Sequence, residues 1–159
     1  MINDERWMES AIREAEQAYR RKEVPIGAVI VHEEKIIGRG YNQIETLQDP
    51  TAHAEIIAIT AASSSLGSRR LENCVMYVTL EPCTMCAGAI VLARISRLVY
   101  GAPDPKAGSC GSLYHICADA RLNHQVETVQ GILEARCSAL LKEFFKEVRS
   151  TGLGKPGSN

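Results

Sequence analysis

The stretch VMYVTLEPCTMCAGAI, residues 75–90, changes character at Pro82. Before it, Val75–Leu80 is the β-branched and aromatic run of a buried strand. After it come small and aliphatic residues that read as a helix. Pro82 suits the start of that helix, because its missing N–H has no intrahelical partner there. Cys83 and Cys86, spaced i and i+3, then share one helical face. The positive end of a helix favours thiolate over thiol. By itself the Cys-x-x-Cys has four readings: a redox dithiol, half of a structural zinc knot, two buried structural cysteines, or part of a working metal site.

The flanking sequence supplies the frame. WMESAIREAEQAYRRKEV (7–24) places Met8, Ile12, Ala15 and Tyr19 on one stripe, which predicts an amphipathic helix. IGAVIVHEEKIIGRGYN (26–42) predicts two strands joined by a charged turn at Glu33–Glu34. HAEIIAITAASSSL (53–66) is apolar almost throughout and predicts a buried helix, and CAGAIVLARI (86–95) predicts another. RLVYGAPDP (97–105) reads as a strand broken by prolines, and QVETVQG (125–131) as a short last strand. ILEARCSALLKEFFKEV (132–148) sets Leu133, Cys137, Leu140, Leu141, Phe144 and Val148 on one face of a closing helix. A helix, a hairpin, then strands alternating with helices predict an α/β sandwich with a mixed sheet. One domain over residues 1–150, with a flexible C-terminal tail over 151–159, is expected from a chain of 159 residues.

Composition excludes several classes. Hydrophobic residues make up 45% and charged residues 23%, ordinary for a globular protein. No apolar run approaches the roughly 18 residues of a membrane span, so no membrane partner is expected. MINDERWMES (1–10) has no apolar signal core, so a cytoplasmic location is expected. In that reducing setting the six cysteines are ligands or buried apolar residues rather than a disulfide frame. The net charge of −1 means that any RNA must meet locally gathered positive charge.

DPTAHAE (49–55) reads as a second helix start, with Asp49 or Thr51 as cap and Pro50 in the first helical position. His53 and Glu55 then fall in the first turn. Two residues apart on a helix, they point about 200° apart. The pair works as a unit only if it straddles the helix tip, one residue on a metal and the other reaching round to a water on that metal. A His beside a Glu in an Ala-rich segment is by itself compatible with packing or capping. A carboxylate in so apolar a stretch nevertheless needs a partner or a purpose.

The combination narrows the readings. His53, Cys83 and Cys86 make three ligands suited to zinc and leave its fourth position open. The chain has no second Cys-x-x-Cys to close a structural site. A water in the open position has its pKa lowered toward roughly 7, and Glu55 is placed to move its proton. A dithiol oxidoreductase has no use for His53 or Glu55. A zinc-stabilised RNA-binding scaffold has none for Glu55.

His53-Ala54-Glu55 with Pro82-Cys83-Thr84-Met85-Cys86 is the H-x-E and P-C-x-x-C signature of zinc nucleobase deaminases. The chain further resembles bacterial tRNA-specific adenosine deaminases of the TadA type. The resemblance is carried by EVPIGAVIV (23–31), DPTAHAEI (49–56), MYVTLEPCTMCAGAI (76–90), RLVYGAPDPKAG (97–108), GSL (111–113), LNHQVE (122–127) and CSALLKEFFK (137–146). The signature marks the whole cytidine deaminase superfamily, and the segments after residue 97 point to the tRNA enzymes. The resemblance implies a cytidine-deaminase-like three-layer fold, with a five-stranded mixed sheet flanked by helices. It implies a homodimer that converts adenosine to inosine at the wobble position, position 34, of a tRNA anticodon stem-loop. It implies zinc, one per subunit, on His53, Cys83 and Cys86, with Glu55 as proton shuttle. Asn42 and the Ala54 backbone would face the base, and Asp104 and Lys106 would lie near the RNA. YHICADAR (114–121) and Cys110 depart from the pattern.

A deaminase of a free base or nucleoside, of the guanine or cytosine type, would share this metal site and lack an RNA surface. Residues 142–155 offer such a surface, with Lys142, Lys146, Arg149 and Lys155 against Glu143 and Glu147. Arg149 is the candidate that the resemblance favours there. Arg69, Arg70 and Arg94 are further candidates. Phe145, off the centre of its helix's apolar stripe, is the ring available for base stacking. Phe144 belongs to the stripe.

Overall fold

The computed structural model describes residues 3–151. Its elements run α1 (Asp4–Arg20), β1 (Gly27–His32), β2 (Lys35–Tyr41), α2 (Ile44–Leu47), α3 (Ala54–Leu66), β3 (Cys74–Leu80), α4 (Thr84–Leu92), β4 (Arg97–Ala102), a 3-10 turn (Ile116–Ala118), β5 (Glu127–Gln130) and α5 (Glu134–Thr151). The expected tail over 151–159 lies, apart from Thr151, outside the described residues.

The sheet order is β2-β1-β3-β4-β5. β1 pairs antiparallel with both β2 and β3, while β3, β4 and β5 run parallel. The expected five-stranded mixed sheet between helices is therefore present. Side-chain alternation along the strands builds two cores. Val29, Val31, Tyr77 and Val99 meet Met8 and Ile12 of α1 and Cys137 of α5. Ile30, Met76, Val78 and Leu98 face the opposite way, toward Ala58 and Ala62 of α3 and Ile90 of α4.

Glu33 and Glu34 close the β1–β2 hairpin with φ of 49° and 61°. Both lie in the left-handed region that a tight hairpin of this twist requires. On β2, Gly38 and Gly40 let α3 approach closely. A Cβ at either would overlap backbone of Ala58 or Ala54. That contact presses the α3 tip against the sheet end where the candidate ligands converge.

Two expectations are corrected. α3 does not start at Asp49–Pro50. Asp49 instead accepts hydrogen bonds from the Thr51 amide and hydroxyl, at 2.8 and 2.7 Å, in a local turn. The helix begins at Ala54. Nor is α3 buried all round. Ala54, Glu55, Ala58 and Ala62 are buried, while Ile56, Ile57 and Ile59 remain half-buried. In a segment that is apolar almost throughout, periodicity does not say which side meets the sheet.

Candidate functional site

The ends of four strands meet at one edge of the sheet. Because β1 runs against β2 and β3, its start lies beside their ends. Ile26 precedes β1, Asn42 follows β2, Glu81 follows β3 and Asp104 follows β4. An open depression of about 350 Å³ forms there, with His53, Glu55 and Cys83 in its lining. Sites in sheets with parallel strands form beyond the carboxyl ends of those strands. Its walls are the strand ends and the two helix tips, so a ligand that enters it meets His53, Glu55 and Cys83 directly.

Two helix tips supply the chemistry. His53 is the N-cap of α3 and Cys83 the N-cap of α4, both with extended backbone and neither with a side-chain capping bond. Serine, threonine, aspartate or asparagine in these positions would turn back to cap the helix. Here both side chains are free to point at each other. His53 Nδ1 lies 3.6 Å from Cys83 Sγ and 3.5 Å from Cys86 Sγ. The three candidate ligand atoms all fall within 4.8 Å of one another. The difficulty of a two-residue spacing on a helix vanishes, because His53 lies outside the helix and Glu55 inside its first turn.

The donor set fits zinc. In a tetrahedral site, Zn–S bonds of about 2.3 Å and Zn–N bonds of about 2.0–2.1 Å leave nitrogen and sulfur about 3.5 Å apart. That is the separation the structure presents without distortion.

Electrostatics point the same way. The Cys83 thiol is pushed down to about 4, chiefly by a hydrogen bond from Cys86 and, against burial, by His53. The same hydrogen bond and burial push the Cys86 thiol up. His53 is held toward its protonated form, first by Cys83 and, against burial, by the Glu55 charge. Glu55 is 4% exposed. Burial pushes its carboxyl up to about 7, with the Cys83 charge adding to the rise and His53 opposing it. A cation among these groups would relieve the conflict by taking both sulfurs as thiolates.

The remaining candidates divide. Asn42, Ala54 and Asp104 line the depression with Glu55 and the ligands. The Asn42 side-chain amide donates to the Val24 carbonyl and its oxygen accepts from the Ile44 amide, both at 3.3 Å. That leaves one N–H and one lone pair for a ligand. Lys106 does not line the depression. It is exposed on the rim, and its amide donates to Asp104 Oδ1 at 3.0 Å. Arg149 is exposed in the last turn of α5 and is likewise not in the lining. Lys155 lies outside the described residues. Phe144 is buried, packed edge-to-face on Tyr19 and Phe145, and Phe145 is half-buried in the same cluster.

The sequence reading missed Glu81. It is 2% exposed and accepts bonds from the loop after β4. A charged residue between a buried strand and a helix cap was the available signal. The departing segment 114–121 folds back through a bridge between Cys110 and His115 and buries Cys117 beside Cys110.

Adjacent helix tips carrying His-x-Glu and Cys-x-x-Cys are the arrangement of the zinc nucleobase deaminases. The family described as MafB19-like deaminase matches over residues 2–149, and the chain belongs to that family. It is 50% identical over 149 residues to the tRNA-specific adenosine deaminase of Bacillus subtilis (strain 168), covering 94% of this chain and 92% of the relative. A solved structure from work on A-to-I editing by tRNA:A34 deaminases is 46% identical, with a TM-score of 0.82, covering 86% of this chain and 99% of that one. A guanine deaminase of Nitrosomonas europaea shares the fold, at a TM-score of 0.78 and 21% identity over 91% of this chain and 85% of that one. The resemblance drawn from the sequence is borne out by the first two.

Proposed function

We propose that this chain is a zinc-dependent hydrolase that converts adenosine to inosine at position 34, the wobble position of a tRNA anticodon, releasing ammonia. The observation that carries the chemistry is Glu55, a buried carboxylate with a raised pKa beside a His–Cys–Cys cluster in the lining of the depression. Relatives named tRNA-specific adenosine deaminase at 45–50% identity support the substrate.

His53, Cys83 and Cys86 are the residues that would hold zinc, which when bound supplies Lewis-acid activation of the water that replaces the amino group. Glu55 takes a proton from that water, delivers it to the ring nitrogen N1, and then carries a proton to the departing amine. Water and adenosine thus yield inosine and ammonia with no net proton. Asn42, through its remaining N–H and lone pair, and the Ala54 backbone orient the base. Asp104, also in the lining, bounds it. The narrow depression requires a base extruded from its stack, which costs least in a hairpin loop. Lys106 and Arg149 lie outside it and meet the phosphates.

A homodimer belongs to the same proposal. The outer sides of α4 and of the first turn of α3 carry apolar rather than charged side chains. Leu92 is 78% exposed, and Ile56, Met85 and Ala89 are half-buried. A second copy would cover them, so Leu92→Asp should shift the light-scattering mass toward the monomer. No helix of the described residues is long and apolar enough to cross a membrane. The six free cysteines support a reducing, cytoplasmic setting.

The test is incubation of the zinc-loaded protein with anticodon stem-loops carrying adenosine at position 34, beside free guanine, adenosine and cytidine. Inosine in the stem-loop alone is the expected product. Turnover of a free base or nucleoside without the stem-loop product would transfer the site to the other deaminase type.

A further inference from the structure

Glu81 is a charged residue in the wall of the depression that the proposed chemistry does not use. Its surroundings decide between two roles. Oε1 accepts from the Asp104 amide at 3.0 Å and from the Ser112 hydroxyl at 2.5 Å. Oε2 accepts from the Cys110 and Ser112 amides, both at 3.0 Å. A carboxylate has about four lone-pair sites, and all are engaged. A group so saturated has no lone pair with which to take a proton from water or from a base. It does join three positions of one loop to the end of β3.

A second observation is independent of those bonds. Gly108 lies in the same loop, and a Cβ there would overlap the Glu81 carboxylate and the Asp104 carbonyl. The loop therefore closes over the carboxylate from both sides. The Ser109 amide also donates to the Pro82 carbonyl at 2.9 Å, so the loop is tied to the chain that leads into Cys83.

We propose that Glu81 is a positioning residue, whose carboxylate holds the 104–112 loop so that Asp104 forms one wall of the base site. This rests on the deaminase reading for its substrate, not for its structure. A fixed wall helps bind and orient the base, while proton transfer stays with Glu55. Loss of the anchor acts on KM more than on kcat.

The experiment compares zinc-loaded wild type with Glu81→Gln, Gly108→Ala and Ser112→Ala. Zinc content, steady-state kinetics on the anticodon stem-loop and amide hydrogen exchange are measured for each. In Glu81→Gln a side-chain N–H₂ replaces one acceptor and faces backbone N–H groups. KM should rise roughly tenfold with kcat within about threefold, zinc should stay at wild-type content, and the amides of 104, 110 and 112 should exchange faster. Gly108→Ala leaves Glu81 in place and should give the same split, which keeps the test open if Glu81→Gln fails to fold. Ser112→Ala removes one donor and should give a smaller rise. A collapse of kcat at unchanged KM would make Glu81 a chemical participant and overturn the proposal. Unchanged exchange over 104–112 in both Glu81→Gln and Gly108→Ala would overturn it as well. If wild type makes no inosine, the deaminase reading fails by itself, and exchange alone then decides the anchoring.

Discussion

Asp4, Tyr77 and Arg97 form one inner polar cluster, against α1. His53, Glu55, Cys83 and Cys86 form another, at the tips of α3 and α4. In the first, both Asp4 oxygens accept from the Arg97 guanidinium at 2.8 Å, and Tyr77 donates to Oδ1 at 2.9 Å. The Arg97 bond lowers the Asp4 carboxyl below its ordinary value, against burial. The cluster pairs its charges, with both Asp4 oxygens engaged by the guanidinium, although Arg97 Nε has no hydrogen-bond partner and reaches Glu127 only at 3.8 Å. The second contains acidic groups whose proton equilibria push against one another and includes no permanent cation. Both are part-buried and both join distant segments. The paired one stabilises the fold. The open one retains groups that a metal and a substrate can complete.

The contrast can be broken most severely at Glu55. Glu55→Gln should reduce kcat on the stem-loop by about 10²–10⁴-fold with zinc content unchanged. Full activity would remove the distinction between the clusters. Cys86→Ala should drop zinc from one per chain toward zero on metal analysis after dialysis, because two ligands rarely hold the ion. Retention of stoichiometric zinc would move the site elsewhere.

At the paired cluster the expected effects fall on stability. Asp4→Ala should cost about 2–3 kcal/mol in chemical denaturation, through lost charge-assisted bonds and an unpaired guanidinium. Its kcat should change by less than about twofold, since the cluster is apart from the site. The pH dependence has a definite sign. A carboxyl whose folded pKa lies below the ordinary 3.8 adds stability that is complete above that value. It is lost as pH falls through the folded pKa. Wild type should therefore lose stability below about pH 4 more steeply than Asp4→Asn. Parallel curves would show that the bond contributes nothing. Smallest is Arg149→Ala, an exposed charge on α5. It should raise KM by less than about threefold and slightly flatten the salt dependence. A larger change would place the helix end against the RNA more firmly than its exposure suggests.

Much of the site was legible because its ligands carry local signals. The Cys-x-x-Cys spacing marks a ligand pair, and His53-Ala54-Glu55 stands out by its carboxylate in an apolar run. The helix start expected at Pro82 comes too early, however: α4 begins at Thr84, and Cys83 meets Cys86 from the extended N-cap rather than from a shared helical face. The α3 start was misplaced because Asp49, Pro50 and Thr51 are good capping types that here close a turn of their own. The exposed side of α3 is marked by Thr60, Ser64 and Ser65 only in its second half, while its first turns carry Ile56, Ile57 and Ile59. Glu81 was invisible as an anchor because its four donors come from residues 23 to 31 positions away.

The sequence alone determined strand alternation, helix stripes and the chemistry of each half-site, all consequences of geometry over a few residues. Only the tertiary structure decided that β1 lies between β2 and β3, which brings residue 53 to residue 83. It also decided that the loop after β4 closes on Glu81. Those outcomes depend on which surfaces bury each other across long stretches of chain, and no local pattern encodes that choice.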